Sequence, residues 1–204
     1  LLATTQSGLV ANMLRAATGR EVELVHITTH GDVATGSLAS LGGTGVFAAA
    51  LREALLRDEC DLVVHSLKDL PTAGHPGLTL GAIPARERQN DVLCVPGGGG
   101  LDALPQGARV GTGSPRRVAQ LLRRRPDLTV TDIRGNIDTR LRKATDGEYD
   151  AVVLAEAGLR RINRGHVISE TFDLDLWPTS AGQGALAVEV REDAVNTEFG
   201  AVVA

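Results

Sequence analysis

At 204 residues and 21.3 kDa, with 43% hydrophobic and 23% charged residues and a mean hydropathy of +0.01, the chain has the composition of a soluble globular protein of one large or two small domains. No apolar run approaches the roughly 20 residues of a membrane helix, and two cysteines, Cys60 and Cys94, cannot build a disulfide framework or a cysteine-rich zinc site, so a cytoplasmic setting is expected. A net charge of −4 and five aromatic residues argue against a nucleic-acid partner that relies on charge or base stacking.

The chain opens with Leu1-Leu2-Ala3, its one methionine is Met13, and no signal-peptide pattern is present, so it reads as a fragment or a trimmed chain. Leu2, Leu9, Val10, Met13, Leu14 and Ala17 keep helical spacing up to Gly19, a stop signal. The alternation from Glu21 to Thr28 predicts a half-buried strand, followed by a loop rich in glycine (Gly31, Gly36, Gly42, Gly43, Gly45). Phe47, Leu51, Leu55 and Leu56 mark a second helix, and Asp61 to His65 a short buried strand. A strand is predicted at Leu78–Ile83 and a surface loop at Gly97–Gly100.

Beyond that loop, strands and helices alternate. Strands are predicted at Ala108–Gly111, Leu128–Ile133 and Ala151–Leu154, each followed by a helix at Pro115–Arg125, Ile137–Thr145 and Glu156–Ile162, with a last strand at Ala185–Val190. This order predicts an α/β fold of two lobes with mixed, mostly parallel sheets. The chain would cross between the lobes twice, near Pro84–Asp91 and again near Pro178–Gly184. Residues 1–84 with 184–204 would form one lobe and 85–183 the other.

Charge is concentrated in the second lobe. Arg109 to Arg142 holds nine arginines against three acids, and only Lys68 and Lys143 are lysines. Genomic composition alone can favour arginine, but the planar fork also suits carboxylate and phosphate. Gly111-Thr112-Gly113-Ser114-Pro115-Arg116-Arg117 leaves a strand and opens a helix, where free N–H groups, hydroxyls and two arginines make an anion site. The bland alternative is a turn capped by Ser114. The segment is neither a Walker loop nor a dinucleotide fingerprint, because neither spacing is completed.

Arg134 and Arg140 flank the next strand-to-helix junction, and in a parallel sheet such junctions share one edge. Asn136 also reads as a plain helix cap, and Arg140 as a surface partner of Asp138 or Asp132. Arg160-Arg161 repeats the pattern less specifically. His65-Ser66-Leu67-Lys68-Asp69-Leu70-Pro71-Thr72 gathers a histidine, a lysine and a carboxylate at a strand end. A local Lys68–Asp69 ion pair explains it structurally. A carboxylate there would otherwise serve to stabilise a cation formed during a reaction.

Taken together, these segments resemble the porphobilinogen deaminase (hydroxymethylbilane synthase) family. The resemblance runs from about Leu2 to Arg191 and is carried by Gly42–Phe47, Val64–Thr72, Val110–Arg117, Leu128–Leu141, Tyr149–Leu159 and Ala181–Ala185 in family order. It implies a transferase of tetrapyrrole biosynthesis, on the route to heme and other porphyrins, that joins four porphobilinogen units head to tail with release of ammonia. It also implies two domains resembling periplasmic binding proteins, and a dipyrromethane cofactor carried on a cysteine of a third domain.

By matching position, Asp69 is the expected catalytic carboxylate. Lys68, Thr112, Ser114, Arg116, Arg117 and Arg140 are the expected cofactor-binding residues, Arg134, Arg140 and Arg161 the substrate-binding residues, and Gln183 a hinge residue. No metal site is expected, because no His/Cys/Asp set has ligand spacing. Nucleic acid and membrane are not expected partners, and a monomer is.

The chain departs from the family pattern at Thr44, where lysine is common, at Gln89-Asn90 ahead of Asp91, and at Gly113, where serine is usual. The family's first strand and third domain are expected to be missing, and neither Cys60 nor Cys94 aligns with the attachment cysteine. The competing reading is a two-lobed solute- or effector-binding module for a small anion, since fold alone does not decide function.

Overall fold

The computed structural model describes residues 1–27 and 46–195. The glycine-rich run from Gly31 to Gly45, with Thr44, lies outside the described residues. The chain divides into two compact units, Leu1–Glu87 with the returning segment from Ala181, and Arg88–Ser180.

In the first unit, α1 (Leu2–Thr18) ends where Gly19 turns left-handed at φ 68° and donates its N–H to Arg15 O. Helix α2 (Val46–Leu56) leads to β1 (Leu62–Ser66), which runs directly into a single 3-10 turn, Leu67–Asp69. Strand β2 (Leu78–Ala82) and, after the second unit, β8 (Leu186–Arg191) complete the sheet. β8 lies in the middle and is antiparallel to both neighbours, pairing Val64 with Val188 and Leu80 with Glu189. β1 and β2 therefore point the same way, and the last strand is the reversed one.

Alternation along β8 sorts the core into two faces. Leu186, Val188 and Val190 pack with Val10 and Leu14 of α1, while Leu55 of α2 packs with Val63 and Leu78 on the other face. Residues 21–27 form no strand, contrary to the alternation read from the sequence. Arg15 Nη2 donates to Val22 O, Leu24 and Val25 stay exposed, and no neighbouring strand among the described residues pairs with the segment. Alternation gives a segment a buried face, but a ladder also needs a partner.

The second unit holds β3 (Asp91–Cys94), β4 (Arg109–Gly111), β5 (Thr129–Thr131), β6 (Ala151–Ala155) and the two-residue β7 (Glu170–Thr171) in the order β5-β4-β6-β3-β7. β4 is parallel to β5 and β6, whereas β3 is antiparallel to β6 and β7. Helices α3 (Pro115–Arg124), α4 (Ile137–Thr145) and α5 (Glu156–Arg161) follow the three parallel strands. The α/β alternation agrees with the sequence reading, but the expectation of mostly parallel sheets does not hold among the described residues: both pairings of the first sheet are antiparallel and only β4 pairs in parallel, because β8 and β3 enter their sheets from long crossovers and run reversed.

Both faces of this sheet are covered, which is why β3 and β6 read as continuous apolar runs. Leu93, Val110, Leu121, Ala151 and Val153 join Phe172 and Trp177 on one face; Val92, Ile133, Val152, Leu154 and Leu159 fill the other. Burying each such leucine or valine contributes roughly 2 kcal/mol. The consequence for function is geometric: the carboxyl ends of β4, β5 and β6 lie side by side at one edge of a rigid sheet.

Candidate functional site

The chemistry-bearing residues fall into two groups, one in each unit. In the first unit the sequence His65-Ser66-Leu67-Lys68-Asp69 carries β1 into its 3-10 turn. Leu67 N donates to Ala185 O at 3.0 Å and Leu70 N to Leu67 O at 3.2 Å, pinning the turn to the strand that returns from the second unit. Gly182 is needed beside it: its φ is +72°, and a Cβ there would meet Leu67 Cγ at 3.0 Å.

Gln183 is buried at 1% exposure and joins three segments. Its side-chain oxygen accepts from Lys68 Nζ at 3.5 Å, its backbone oxygen accepts from Arg86 Nε at 2.8 Å, and the next residue, Gly184, accepts from Glu87 N at 3.0 Å. Asp69 is reachable by solvent, yet the protein around it desolvates its carboxyl. That desolvation raises its pKa above the ordinary aspartate value, and the charges of Lys68 and His65 offset only part of the rise.

Behind the turn lies a buried ionic cluster that the sequence reading missed. On the α2 side of the sheet, Arg52 and His65 both face Glu189, with His65 Nε2 3.3 Å from Glu189 Oε2. A lone glutamate inside the apolar run Leu186–Arg191 is the sequence signal that such a cluster leaves.

In the second unit the turn Thr112-Gly113-Ser114 links β4 to α3. Pro115 takes the first helical position, and the Ser114 side chain makes no capping bond, so the bland alternative of a serine-capped turn does not hold. A helix start of this kind has the chemistry to bind an anion through its first-turn N–H groups. Thr112 is buried, with its N–H on Thr131 O and its Oγ1 accepting from Ser114 N at 3.3 Å. Thr112 thus shapes the loop that presents Ser114.

Arg116 and Arg117 converge on Asp91, which is fully buried at 0% exposure. Arg117 Nη2 donates to Asp91 Oδ1 at 2.6 Å and Trp177 Nε1 to Oδ2 at 3.1 Å, while Arg116 Nη2 is ion-paired with Oδ2 at 2.9 Å. Arg117 also donates to Val153 O at 3.1 Å and is buried, whereas Arg116 keeps a partly open side chain and donates to Pro178 O at 2.8 Å. Asp91 and Trp177 had not been singled out as site residues from sequence.

At the next junction Gly135 has φ +110°, and Asn136 caps α4 by accepting from Thr139 N at 2.9 Å. Arg134 Nε donates to Asp132 Oδ2 at 2.8 Å, and Arg140 Nε donates to Gly135 O at 2.7 Å rather than pairing with Asp138 or Asp132. Burial lowers the pKa of Arg140, the nearby Arg117 and Arg134 lower it further, and Asp132 works in the opposite direction. Arginine stays charged under such pressure. The lowering reports burial first, and then the nearness of Arg117 and Arg134 to the Arg140 guanidinium. Arg161 lies in the last turn of α5, beside Arg160, which pairs with Glu156 Oε1 at 2.7 Å.

Guanidinium groups gathered at one sheet edge have the chemistry to pair with carboxylates or phosphates. The described residues contain no group of three His, Cys, Asp or Glu side chains placed to hold a metal ion, and no helix long and apolar enough to cross a membrane.

The chain is similar to known proteins over most of its length. The family model described as porphobilinogen deaminase, dipyromethane cofactor binding domain, matches residues 1–198. The porphobilinogen deaminase of Leifsonia xyli subsp. xyli is 58% identical over 191 residues, covering 94% of this chain and 58% of the relative. That of Thermobifida fusca is 55% identical over 93% of this chain and 59% of the relative. The chain therefore spans about six-tenths of the length of these curated relatives. Among solved structures, the methionine-binding protein MetQ has a TM-score of 0.58 at 13% identity, covering 99% of this chain and 84% of its own. The VFT2 domain of Bordetella pertussis BvgS has a TM-score of 0.53 at 18% identity, covering 97% of this chain and 75% of its own. These two likenesses show the fold, that of the two-lobed binding proteins.

Proposed function

This chain belongs to the porphobilinogen deaminase family, and from that premise we propose that it carries the catalytic and cofactor-holding part of a hydroxymethylbilane synthase. The observation that supports this most is the crowding of Arg117, Arg134 and Arg140 at one sheet edge. Porphobilinogen bears an acetate and a propionate, so a chain growing by four such units adds two carboxylates at each step. A dipyrromethane, with four carboxylates, fits the same cluster.

When bound, the dipyrromethane supplies the pyrrole end on which the product is built. Arg116, Arg140, Lys68 and Ser114, with the first-turn N–H groups of α3, would hold its carboxylates, and Thr112 would set the loop. Arg117 would act from behind through Asp91. Arg134, Arg140 and Arg161 would receive the carboxylates of the incoming porphobilinogen or of the lengthening chain.

Asp69 would accept hydrogen bonds from pyrrole N–H groups. As the aminomethyl C–N bond breaks and ammonia leaves, positive charge spreads over the pyrrole, and a fixed carboxylate stabilises it. The methylene carbon then bonds to the free α-position of the acceptor pyrrole, which gives up its proton. A carboxyl already desolvated by its surroundings gains more from a cationic partner than one in bulk water.

In this reading the first unit, Leu1–Glu87 with the segment from Ala181, is the catalytic lobe, a few residues wider at each crossing than the sequence bounds, Arg88–Ser180 is the anion-holding lobe, and Gln183 is the hinge residue. The protein acts as a cytoplasmic monomer without a metal. The test is incubation of the full-length parent with porphobilinogen, following substrate loss and uroporphyrin after oxidation. Asp69→Asn should abolish turnover while ligand binding is retained. Undiminished turnover by that variant would refute the assignment.

A further inference from the structure

Asp132 is an acid inside an anion site. It follows β5 directly, its Oδ2 accepts from Arg134 Nε at 2.8 Å, and its charge acts on Arg140 as well. The other carboxylate of the cluster, Asp91, is fully buried between Arg116 and Arg117 and cannot leave without exposing an interior charge. Asp132 differs from it in kind. Its side chain is 53% exposed and Arg134 is 37% exposed, so their ion pair is a weak, solvated one that an incoming carboxylate can replace.

A second observation fixes where this carboxylate sits. Gly113 has no left-handed backbone that would call for glycine, yet a Cβ there would lie 2.9 Å from Asp132 Oδ1. What the glycine provides is room, and the Asp132 carboxylate fills it. Tyr149 Oη donates to the Asp132 backbone oxygen at 2.9 Å, which holds the main chain in place while the side chain stays able to swing.

We propose that Asp132, seated in the space left by Gly113, is a specificity-determining residue that occupies Arg134 as a stand-in for a ligand carboxylate and weakens the capture of polyanions by this site. The inference rests on the polycarboxylate reading of the arginine cluster and adds an internal competitor to it. A ligand that reaches Arg134 must displace Asp132 and then bear its repulsion, so a small multivalent anion gains less here than the number of arginines implies. A ligand that also engages Arg116 and Arg140 overcomes the competitor.

The experiment is calorimetric titration of the 204-residue chain with benzenehexacarboxylate at fixed low salt. Asp132→Asn should tighten binding about fivefold. Gly113→Ala, which pushes the carboxylate off its seat without changing charge, should tighten it in the same direction. Combining the two should give little more than Asp132→Asn alone, because both act on one contact. Asp146→Asn, at the far end of α4, changes net charge equally and should leave affinity where it was. Equal affinities for the parent chain and Asp132→Asn, including no binding by either, would overturn the inference, as would a matching gain in Asp146→Asn. Failure of the deaminase reading is seen separately, in porphobilinogen consumption by the full-length protein, which this titration does not measure.

Discussion

Arg52 and Glu189 meet fork to carboxylate: Arg52 Nε donates to Oε1 and Oε2 at 3.1 and 3.0 Å, and Nη2 to Oε1 at 2.8 Å. The pair is buried beneath the turn that carries Lys68 and Asp69, with His65 on the same carboxylate. A pairing so far from water ties α2, β1 and β8 into one unit, and its loss is costly because each partner would leave the other charge uncompensated.

The pair predicts a specific acid dependence. Burial alone would raise the pKa of Glu189, but the contacts with His65 and Arg52 outweigh it and hold the group at about 2. A depressed carboxylate contributes stability that is present above its unfolded value and lost as pH falls through the folded one. The window is therefore from about pH 4.5 down to about pH 2, and the loss is of the order of 3 kcal/mol. Urea unfolding across that range should show it, and Glu189→Gln should be less stable at neutral pH and flatter towards acid. A variant with the same pH slope as the parent would contradict the linkage.

Asp91 predicts a different failure. Its carboxylate is the shared counter-ion of Arg116 and Arg117 and the acceptor for Trp177, whose ring stacks on Phe172 at 4.1 Å. Asp91→Ala should destabilise the protein by roughly 3–5 kcal/mol, as expected when one partner of a buried pair is removed. The near-ultraviolet signal of Trp177 should change with it. Asp91→Asn, which keeps the shape and one acceptor, should cost less. Equal stability of the parent and Asp91→Ala would show that the hub contributes nothing.

These two clusters also mark the limit of what the sequence discloses. Helix α4 falls at Ile137–Thr145 as its periodicity predicts, and α3 and α5 each end one residue before the predicted bound; their signals are local, proline opening α3, asparagine capping α4 and an acid in the first turn of α5. The gathering of Arg117, Arg134 and Arg140 was legible because parallel strands send their junctions to one edge. Asp91 with Arg117, and Arg52 with Glu189, were not, because those partners meet only through strand order. β3 lies against β6, and β8 beside β1, pairings fixed by long crossovers rather than by any neighbouring residue. Residues 21–27 failed for the same reason in reverse, since their alternation carried no information about a partner.

The cysteines yield a chemical prediction. Burial pushes the Cys94 thiol up to about 12, and burial together with Asp61 raises that of half-buried Cys60. The thiolate is the reactive form, so both should be poor nucleophiles at neutral pH. Iodoacetamide should label the folded chain slowly and the unfolded chain quickly. After exposure of the 204-residue chain to porphobilinogen, intact-mass measurement should find no covalent dipyrromethane increment. An increment on either cysteine would make that residue an attachment point and overturn the assignment of that role elsewhere.

The electrostatics of Asp69 set the last prediction. Desolvation raises its pKa, while Lys68 and then His65 pull it back. If the ionised carboxylate is the working form, turnover of the full-length parent falls on the acid side as Asp69 takes up its proton, at a pH above the ordinary aspartate range. Lys68→Gln removes the charge that most favours ionisation, so the folded pKa must rise and the acid limb must move to higher pH. The measurement is kcat against pH at saturating porphobilinogen, which separates the shift from any loss of binding that Lys68 causes through the ligand carboxylates. His65 stays in place on Glu189 in this variant, so the shift reports Lys68 alone. An acid limb that stays fixed or moves to lower pH would mean that Asp69 is not the group whose ionisation governs the rate.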